Sequence, residues 1–488
     1  MVAADRGPPP VRDTSAVPTV SWRAMSHSPA ALSSVPVRDS ERIGAIDATR
    51  GLALLGIFMV NIMLFSQPFG RFVELTPGDI PPGDKAVHYF VEIFCEGKFY
   101  PLFSTLFGVG MAIQMQRARA ARRRFWPLGL RRLAVLAVIG LAHAFLLWYG
   151  DILFIYSVMG LLLLALGRCT PRVLAIIAAA LMGMGILLST GFTLLTAAAP
   201  EQSAAANTEG PPSPPPAPAT APGTAASSPV GAMREGTGPF MRLMKTLRTQ
   251  DLTHDAQGRQ IAPMSHPIWL ETETEAYRRG PYLDAVLFRA MSYGIILIVT
   301  FLGFGWTIAA MFLFGAALTK WNAFAPERLH WHKRFAAVGL GVGLPLAVFA
   351  AVAPELLGQS TGAILFYAPI MAVSSPLVAL GYLGVVRLLV ARGAAPGLFG
   401  ALAAAGRMAL TCYLLETILA TLVFYHYGLG QFGLLSRPQA AGVVLAIYAA
   451  IVAFSVVWQK RFRFGPMEWL WRSLTYLTPQ PMLRRPER

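Results

Sequence analysis

Long apolar runs separated by short polar loops are the feature that most constrains this chain. Several runs exceed the roughly 18 apolar residues that cross the hydrocarbon core of a bilayer as an α-helix. The composition agrees, because 55% of the 488 residues are hydrophobic and only 14% are charged. Soluble globular proteins are less apolar. The pattern predicts an all-α fold, a polytopic transmembrane helical bundle within a lipid bilayer.

Basic residues set the expected orientation of this bundle. An arginine-rich segment between residues 117 and 132 separates the second and third runs, and positively charged loops face the cytoplasm. Alternation from that point predicts that both termini are cytoplasmic. The same loops explain the net charge of +16, so we expect no nucleic-acid partner. We expect about ten spans. Their approximate limits are 43–65, 90–115, 132–149, 151–167, 173–196, 291–318, 335–353, 362–386, 408–427 and 440–458.

The polar segments divide the chain into five parts. Residues 1–41 are expected to form a disordered tail, and residues 478–488 form a second tail. Residues 42–196 and 291–477 form two five-span membrane blocks. Between them, residues 197–290 form an external loop, Pro- and Ala-rich at first and then partly helical. Its helical part has the i, i+3, i+4, i+7 spacing of an amphipathic helix on the outer membrane surface. The residues at these positions are Phe240, Leu243, Met244 and Leu247.

One hairpin places a histidine and an aspartate among apolar and aromatic residues. In GLAHAFLLWYGDILFIYS, His143 lies in the outer half of the third span and Asp151 begins the fourth. An ionisable group inside a bilayer is costly, so each one needs a reason. His143 fits the role of a general base that Asp151 orients. The structural alternatives are a hydrogen-bonded membrane histidine and a helix N-cap aspartate.

Polar residues also occur along the first span. Asp47 and Arg50 are three residues apart on one face near the cytoplasmic end. They form either an ion pair that anchors the helix end or a substrate site in which Arg50 binds a phosphate of a cytoplasmic donor. Asn61 lies roughly 21 Å further along the helix than Asp47. At this position, near the external end of the span, Asn61 is expected either to bind substrate or to form a hydrogen bond to another helix.

The external end of the second span carries two carboxylates and a lysine. Glu92, Glu96 and Lys98 precede Pro101, which is expected to kink the helix. In the functional interpretation, Glu96 takes part in proton transfer and Lys98 binds substrate. In the structural interpretation, Glu96 and Lys98 lie at the membrane interface and only form an ion pair. Glu416, near the middle of the ninth span, is a further substrate-binding candidate. The depths of these groups predict a polar cavity that opens to the outside.

Motifs for metal or cofactor chemistry are not found in the sequence. The three cysteines lack CxxC spacing, and there is no zinc pattern, Walker loop or GxSxG elbow. We therefore expect no metal and no bound cofactor. Nothing in the sequence indicates an oligomeric state.

Several long motifs resemble the YeiB-like family of bacterial membrane proteins. RIGAIDATRGLALLGIFMVNI is similar to the opening motif of that family, and EGKFYPLFSTLFGVG and RRLAVLAVIGLAHAFLLWYGDILFIYSVMGLLLL are similar to the blocks that follow. GRMALTCYLLETILATLVFYHYGLGQFG is similar to its C-terminal domain of unknown function. The resemblance covers most of residues 42–477. It implies a multi-pass protein of the bacterial inner membrane.

The opening motif also resembles that of transmembrane acyltransferases, through Asp47, Arg50, Gly51 and the apolar run that follows. Those enzymes move an acyl group from a cytoplasmic thioester to a hydroxyl or amine on the other side of the membrane. They also carry a catalytic histidine in a loop motif beside the second span. That motif is not found in this sequence; His88 is near the position but has different surroundings.

The leading hypothesis is an acyltransferase-like protein, with acyl-CoA as co-substrate and an envelope lipid or glycan as acceptor. His143 would be the base, with Asp151 or Glu96 orienting it. Arg50 and the arginines that begin the third span would bind the donor phosphates. One alternative is a transporter of a small molecule or lipid-linked metabolite, with a proton path through Glu96, His143 and Glu416. Another is a scaffold in which polar residues only fix helix packing.

Overall fold

The all-α prediction is confirmed by the structure, a computed structural model that describes residues 44–72, 80–206, 238–254, 261–357 and 361–484. The predicted N-terminal tail lies outside the described residues, as do residues 207–237 of the Pro- and Ala-rich segment. The described residues form seventeen α-helices and no β-sheet. The helices are α1 (Gly44–Ser66), α2 (Pro82–Phe94), α3 (Phe99–Ala120), α4 (Trp126–Ala142), α5 (Leu153–Leu166), α6 (Pro171–Ala206), α7 (Pro239–Thr249), α8 (Pro267–Arg278), α9 (Tyr282–Leu302), α10 (Gly305–Lys320), α11 (Leu329–Val338), α12 (Leu344–Leu357), α13 (Thr361–Ala391), α14 (Pro396–Arg407), α15 (Ala409–Phe424), α16 (Arg437–Arg461) and α17 (Pro466–Tyr476).

Several of these helices are long and apolar enough to cross a membrane. Among the described residues there are 7 such helices, or up to 8 if the bent pair α14–α15 is counted as one span. Two further apolar helices, α5 and α10, are shorter. A multi-pass membrane protein is therefore established, while the count of ten spans and the positions of the termini remain predictions.

Two of the predicted spans are interrupted. The predicted second span is divided between α2 and α3, and the break precedes Pro101. The prediction of a kink within the helix at Pro101 is therefore wrong: this proline lies in the first turn of α3, where no hydrogen-bonded N–H is needed. The predicted sixth span is divided between α9 and α10. The chain also bends by 86° at Met408, between α14 and α15, at the start of the predicted ninth span.

Helix α1 packs at very short range against α14. A methyl group added at Gly51 would lie 2.1 Å from the carbonyl oxygen of Leu402, so only glycine fits there. The hydroxyl of Tyr448, on α16, donates to the Gly51 carbonyl at 2.6 Å. Helix α1 is thus held by two helices of the C-terminal block.

Two shorter helices, α7 and α8, lie at the end of the bundle opposite to the arginine-rich segment. The helix expected around Phe240 is α7, and its Leu243 is fully buried. The Phe240 ring meets that of Phe288, on α9, edge to face with centroids 5.2 Å apart. Arg242 of α7 forms an ion pair with Glu275 of α8. The apolar face of α7 therefore packs at least in part on the protein itself.

The other end of the bundle is covered by α17. The Arg132 guanidinium, on α4, lies 3.6 Å from the centroid of the Trp471 ring, a cation–π contact. Glu468 accepts hydrogen bonds from the backbone N–H groups of Leu410 at 2.6 Å and Thr411 at 3.2 Å. It therefore caps the first turn of α15, directly after the bend.

Candidate functional site

The hairpin between α4 and α5 is built to hold His143 inside the protein. After α4, residues His143–Leu147 form one turn of π-helix, a geometry often found at functional sites. Gly140 lets the start of α5 approach α4, because an added methyl group would lie 2.7 Å from Asp151 Oδ1 and 2.5 Å from the Phe154 nitrogen.

An arginine from another helix fixes this π-turn. Arg289, on α9, is completely buried. Its Nη1 donates to the carbonyl oxygens of Leu146 and Leu147, each at 2.7 Å. Two carbonyls released by the end of the helix are thus satisfied by one guanidinium. Sequence reasoning missed this residue, although it ends the segment AYRRGPYLDAVLFR, which precedes the predicted sixth span.

His143 and Asp151 are hydrogen-bonded to each other, as the sequence predicted. His143 Nδ1 is 3.0 Å from Asp151 Oδ2. The other carboxylate oxygen of Asp151 accepts the backbone N–H of Phe154 at 2.8 Å. Asp151 therefore bonds both the imidazole and the first turn of α5, the two groups that the two interpretations of this residue require.

The second nitrogen of His143 contacts a residue from the other end of the chain. His143 Nε2 lies 2.9 Å from Thr417 Oγ1, on α15. Because the carboxylate of Asp151 accepts the proton on Nδ1, Nε2 is left as an acceptor for the Thr417 hydroxyl. We refer to this hydrogen-bonded series of hydroxyl, imidazole and carboxylate, Thr417–His143–Asp151, as the triad. Sequence reasoning did not identify Thr417, although it is next to Glu416.

This triad lies in a closed, largely apolar site. His143 and Asp151 are each 2% exposed, and Thr417 is 1% exposed. The rings of His143 and Tyr413 have centroids 5.0 Å apart, and Trp148 stacks on Phe65 of α1 at 4.0 Å. In such surroundings a hydrogen bond between polar groups is stronger than in water.

Glu416 is buried beside the triad. It is 2% exposed, and among the described residues its Oε1 has no hydrogen-bond partner. A buried carboxylate with an unsatisfied oxygen is costly. Glu416 is therefore a functional candidate on structural grounds as well as from its position in the sequence.

The structure places Glu96 and Lys98 in a different region from His143. Glu96 lines a pocket between α1, α2, α13 and the start of α16, near the end of the bundle that holds His143. Lys98 is completely buried, and its Nζ donates to the carbonyl of Glu92 at 2.6 Å. Asn61 is half-buried on α1. The residues that line the pocket are Val60, Met63, Gln67, Arg71, Val87, His88, Val91, Glu92, Glu96, Tyr367 and Arg437.

Helix α1 separates this pocket from the triad. Val60, Met63 and Gln67 lie on the pocket side, whereas Phe65 faces Trp148. The polar groups at the end of the bundle opposite to the arginine-rich segment thus form two sites, where the sequence predicted a single cavity. Among the described residues, no group of three or more His, Cys, Asp or Glu side chains is arranged to hold a metal ion.

The polar residues of the first span lie at the arginine-rich end. Arg50 Nη1 is 3.0 Å from Asp47 Oδ1, and Arg50 Nη2 donates to the Leu106 carbonyl at 3.2 Å. Arg132 is close enough to Arg50 and Arg472 for their charges to interact. The predicted ion pair is therefore present, within a cluster of positive charges.

Comparisons with known proteins identify relatives but no activity. Residues 316–478 match the family described as a protein of unknown function (DUF418). The chain is 29% identical to the uncharacterized protein YxaH of Bacillus subtilis over 460 residues, which cover 92% of this chain and 98% of the relative. It is 29% identical to the uncharacterized protein YeiB of Escherichia coli over 459 residues, which cover 92% and 100%. No solved structure is significantly similar to the chain. The resemblance to YeiB-like proteins is confirmed.

Proposed function

We propose that this multi-pass membrane protein has an acyltransferase-like function in the bacterial inner membrane. It resembles the YeiB-like proteins over 92% of its length. The acyl group would pass from a cytoplasmic acyl-CoA to a hydroxyl or amine of an envelope lipid or glycan. The observation that supports this proposal is the hydrogen-bonded series Thr417–His143–Asp151.

In this mechanism, Asp151 keeps the proton on Nδ1 of His143 and stabilises the imidazolium that forms. The acceptor hydroxyl takes the position that Thr417 Oγ1 occupies in the resting protein. Its proton passes to His143 Nε2 while its oxygen attacks the thioester carbonyl. The C–S bond then breaks, and the imidazolium returns the proton to the leaving thiolate. General base catalysis of this kind contributes about 10²- to 10⁴-fold to a rate.

The donor would bind at the arginine-rich end of the bundle. Guanidinium groups bind phosphates through paired hydrogen bonds, and Arg50 and Arg132 lie in the same positive cluster. Arg132 and His143 are on the same stretch of helix, about 16 Å apart along its axis. A donor held by these arginines must extend over that distance to reach the base. Asn61 is the proposed acceptor-side group, whereas Lys98, expected to act with it, lies in the other region and takes no part at His143.

The test is turnover of acetyl-CoA by purified protein in detergent, with a phospholipid extract as acceptor. His143→Ala should lower turnover at least about 100-fold. His330→Ala is a matched control, because His330 is an exposed histidine on α11. Folded wild-type protein that neither binds nor consumes acetyl-CoA would reject the proposal.

Glu416 supports a second candidate function, proton-coupled transport. A buried carboxylate with an unpaired oxygen can take up and release a proton during a transport cycle. In proteoliposomes with an imposed membrane potential, the wild type should then carry protons, and Glu416→Gln should not. Proton flux that is the same in both proteins would exclude this path.

A further inference from the structure

The pocket between α1, α2, α13 and α16 has the composition of a binding site for a small charged molecule. The pocket is open to the surface, and two carboxylates, two guanidinium groups and several aliphatic side chains line it. It lies at the end of the bundle opposite to the arginine-rich segment. We propose that it binds a small zwitterion in which a primary ammonium and a phosphate are joined by a short apolar linker.

The floor of the pocket favours the ammonium group. Two carboxylates, Glu92 and Glu96, line it, and one ammonium group, that of Lys98, is buried beneath. The Lys98 Nζ donates to the backbone carbonyl of Glu92, and within the described residues no hydrogen bond joins it to either carboxylate. An ammonium ligand has three N–H donors that suit carboxylate oxygens.

Glu96 is the carboxylate available to that ligand. Glu92 is 5% exposed and lies 3.2 Å from His88 Nε2, and it also interacts with the Tyr367 hydroxyl. The side chain of Glu96 has no hydrogen bond within the described parts of the chain, and it is only partly buried. We therefore assign contact with the ammonium to Glu96.

The rim of the pocket favours the anionic group. Arg71 follows the end of α1, and Arg437 begins α16. The Arg437 backbone N–H donates to Asp84 at 2.7 Å, which fixes the residue, and Arg437 Nη1 donates to His88 Nδ1 at 2.9 Å. Each guanidinium has five donors in a planar fork that matches a phosphate. Two such groups on one rim suit an anion.

The remaining wall of the pocket is apolar and favours an apolar linker between the two charged groups of the ligand. Val60, Met63, Val87 and Val91 line the pocket between its floor and its rim. Short methylene linkers are compatible with such a wall, whereas the hydroxyl groups of a sugar would lose hydrogen bonds to water there. Phosphoethanolamine has all three features, either free or as the headgroup of phosphatidylethanolamine.

The experiment is titration calorimetry of the full chain in phosphatidylcholine nanodiscs, without acyl-CoA, so that the result is independent of acyl transfer. O-Phosphoethanolamine should bind at least about tenfold more tightly than ethanolamine or inorganic phosphate, since each contacts only one end of the site. Equal affinity for the three probes, or no binding of O-phosphoethanolamine, would overturn the proposal.

Two variants locate the site. Glu96→Gln and Arg71→Gln should each weaken O-phosphoethanolamine binding about tenfold, because each removes one charged contact. Glu327→Gln, a matched change at an exposed site after α10, should bind like the wild type. Unchanged affinity in both pocket variants would contradict the assignment, and thermal unfolding verifies that each protein is folded.

A second set of nanodiscs distinguishes the source of the zwitterion. If the pocket takes a lipid headgroup, phosphatidylethanolamine in the nanodisc should compete with O-phosphoethanolamine and lower its apparent affinity. If it takes a free solute, the apparent affinity should be the same in phosphatidylcholine and phosphatidylethanolamine.

Discussion

His143 and Thr417 are 274 residues apart in the sequence, yet Nε2 of one lies 2.9 Å from Oγ1 of the other. The contact joins the two membrane blocks at a buried point. It also makes the environment of the histidine depend on the packing of α15 against the π-turn. The following predictions separate the chemical role of this site from its structural role.

Asp151→Asn should lower acetyl-CoA turnover by about 10² to 10⁴ while changing stability little. The asparagine oxygen can still accept the Phe154 N–H, so the cap on α5 is kept. The amide nitrogen, however, would donate to Nδ1 of His143 and force the proton onto Nε2. Turnover and thermal unfolding are measured on the same preparation. A variant that keeps wild-type turnover would show that Asp151 only caps the helix.

Gly140→Ala should destabilise the hairpin by about 1–3 kcal/mol, the usual cost of overpacking. The added methyl group would lie 2.5 Å from the Phe154 nitrogen, so α4 and α5 must move apart. Gly183→Ala is the control, because nothing lies within 4 Å of a methyl group there. Equal melting temperatures for the two variants, measured in one detergent, would argue against this tight contact.

Arg289→Lys should loosen the π-turn even though the positive charge is kept. The Leu146 and Leu147 carbonyls both accept from Nη1, and the bond from Nε to the Ala285 carbonyl holds the guanidinium in place. A lysine side chain is shorter and has no second nitrogen to make that bond. We expect a loss of about 1–3 kcal/mol and faster hydrogen exchange at residues 143–148. Arg279→Lys is the matched control, because Arg279 is an exposed arginine at the end of α8. If hydrogen exchange at the π-turn is equally fast in Arg289→Lys and Arg279→Lys, Arg289 does not fix the π-turn.

We expect the region around α8 to become less stable as the pH rises from about 5 to 8, because of the buried carboxyl group of Glu273. Burial raises the pKa of Glu273 to about 7, although its hydrogen bond from the Phe69 N–H opposes that shift. Between the ordinary carboxyl pKa and 7, the folded chain keeps a proton that the unfolded chain has lost. Stability therefore falls through this window, by about 3 kcal/mol at most, and the loss is complete above it.

The measurement for Glu273 is the melting temperature of wild type and Glu273→Gln between pH 5 and 8. Glutamine keeps an acceptor for the Phe69 N–H and does not titrate. The difference in stability between the variant and the wild type should increase with pH. A difference that is constant over the window would mean that Glu273 does not carry this dependence.

The pairing of His143 with Asp151 could be predicted because a tight hairpin brings residues eight positions apart to the same depth. Thr417 could not, because its contact depends on the non-local packing of α15. The similar depth of Glu96 and His143 along the membrane normal also suggested that the two residues belong to one site. Depth does not define the position around the bundle, however, and α1 lies between the two. Most of the spans followed from apolar length alone, while the bend at Met408 has no comparable signal.

The contact between α15 and the π-turn has a consequence for biosynthesis. His143 and Asp151 are made and inserted long before the ribosome reaches Thr417 or even Arg289. Until then, the two carbonyls of the π-turn and Nε2 of the imidazole have no partners from those later helices. The site is thus completed only after most of the chain has been translated. Prematurely terminated chains would keep unsatisfied polar groups in the membrane, a feature by which quality-control proteases can distinguish them from the finished protein.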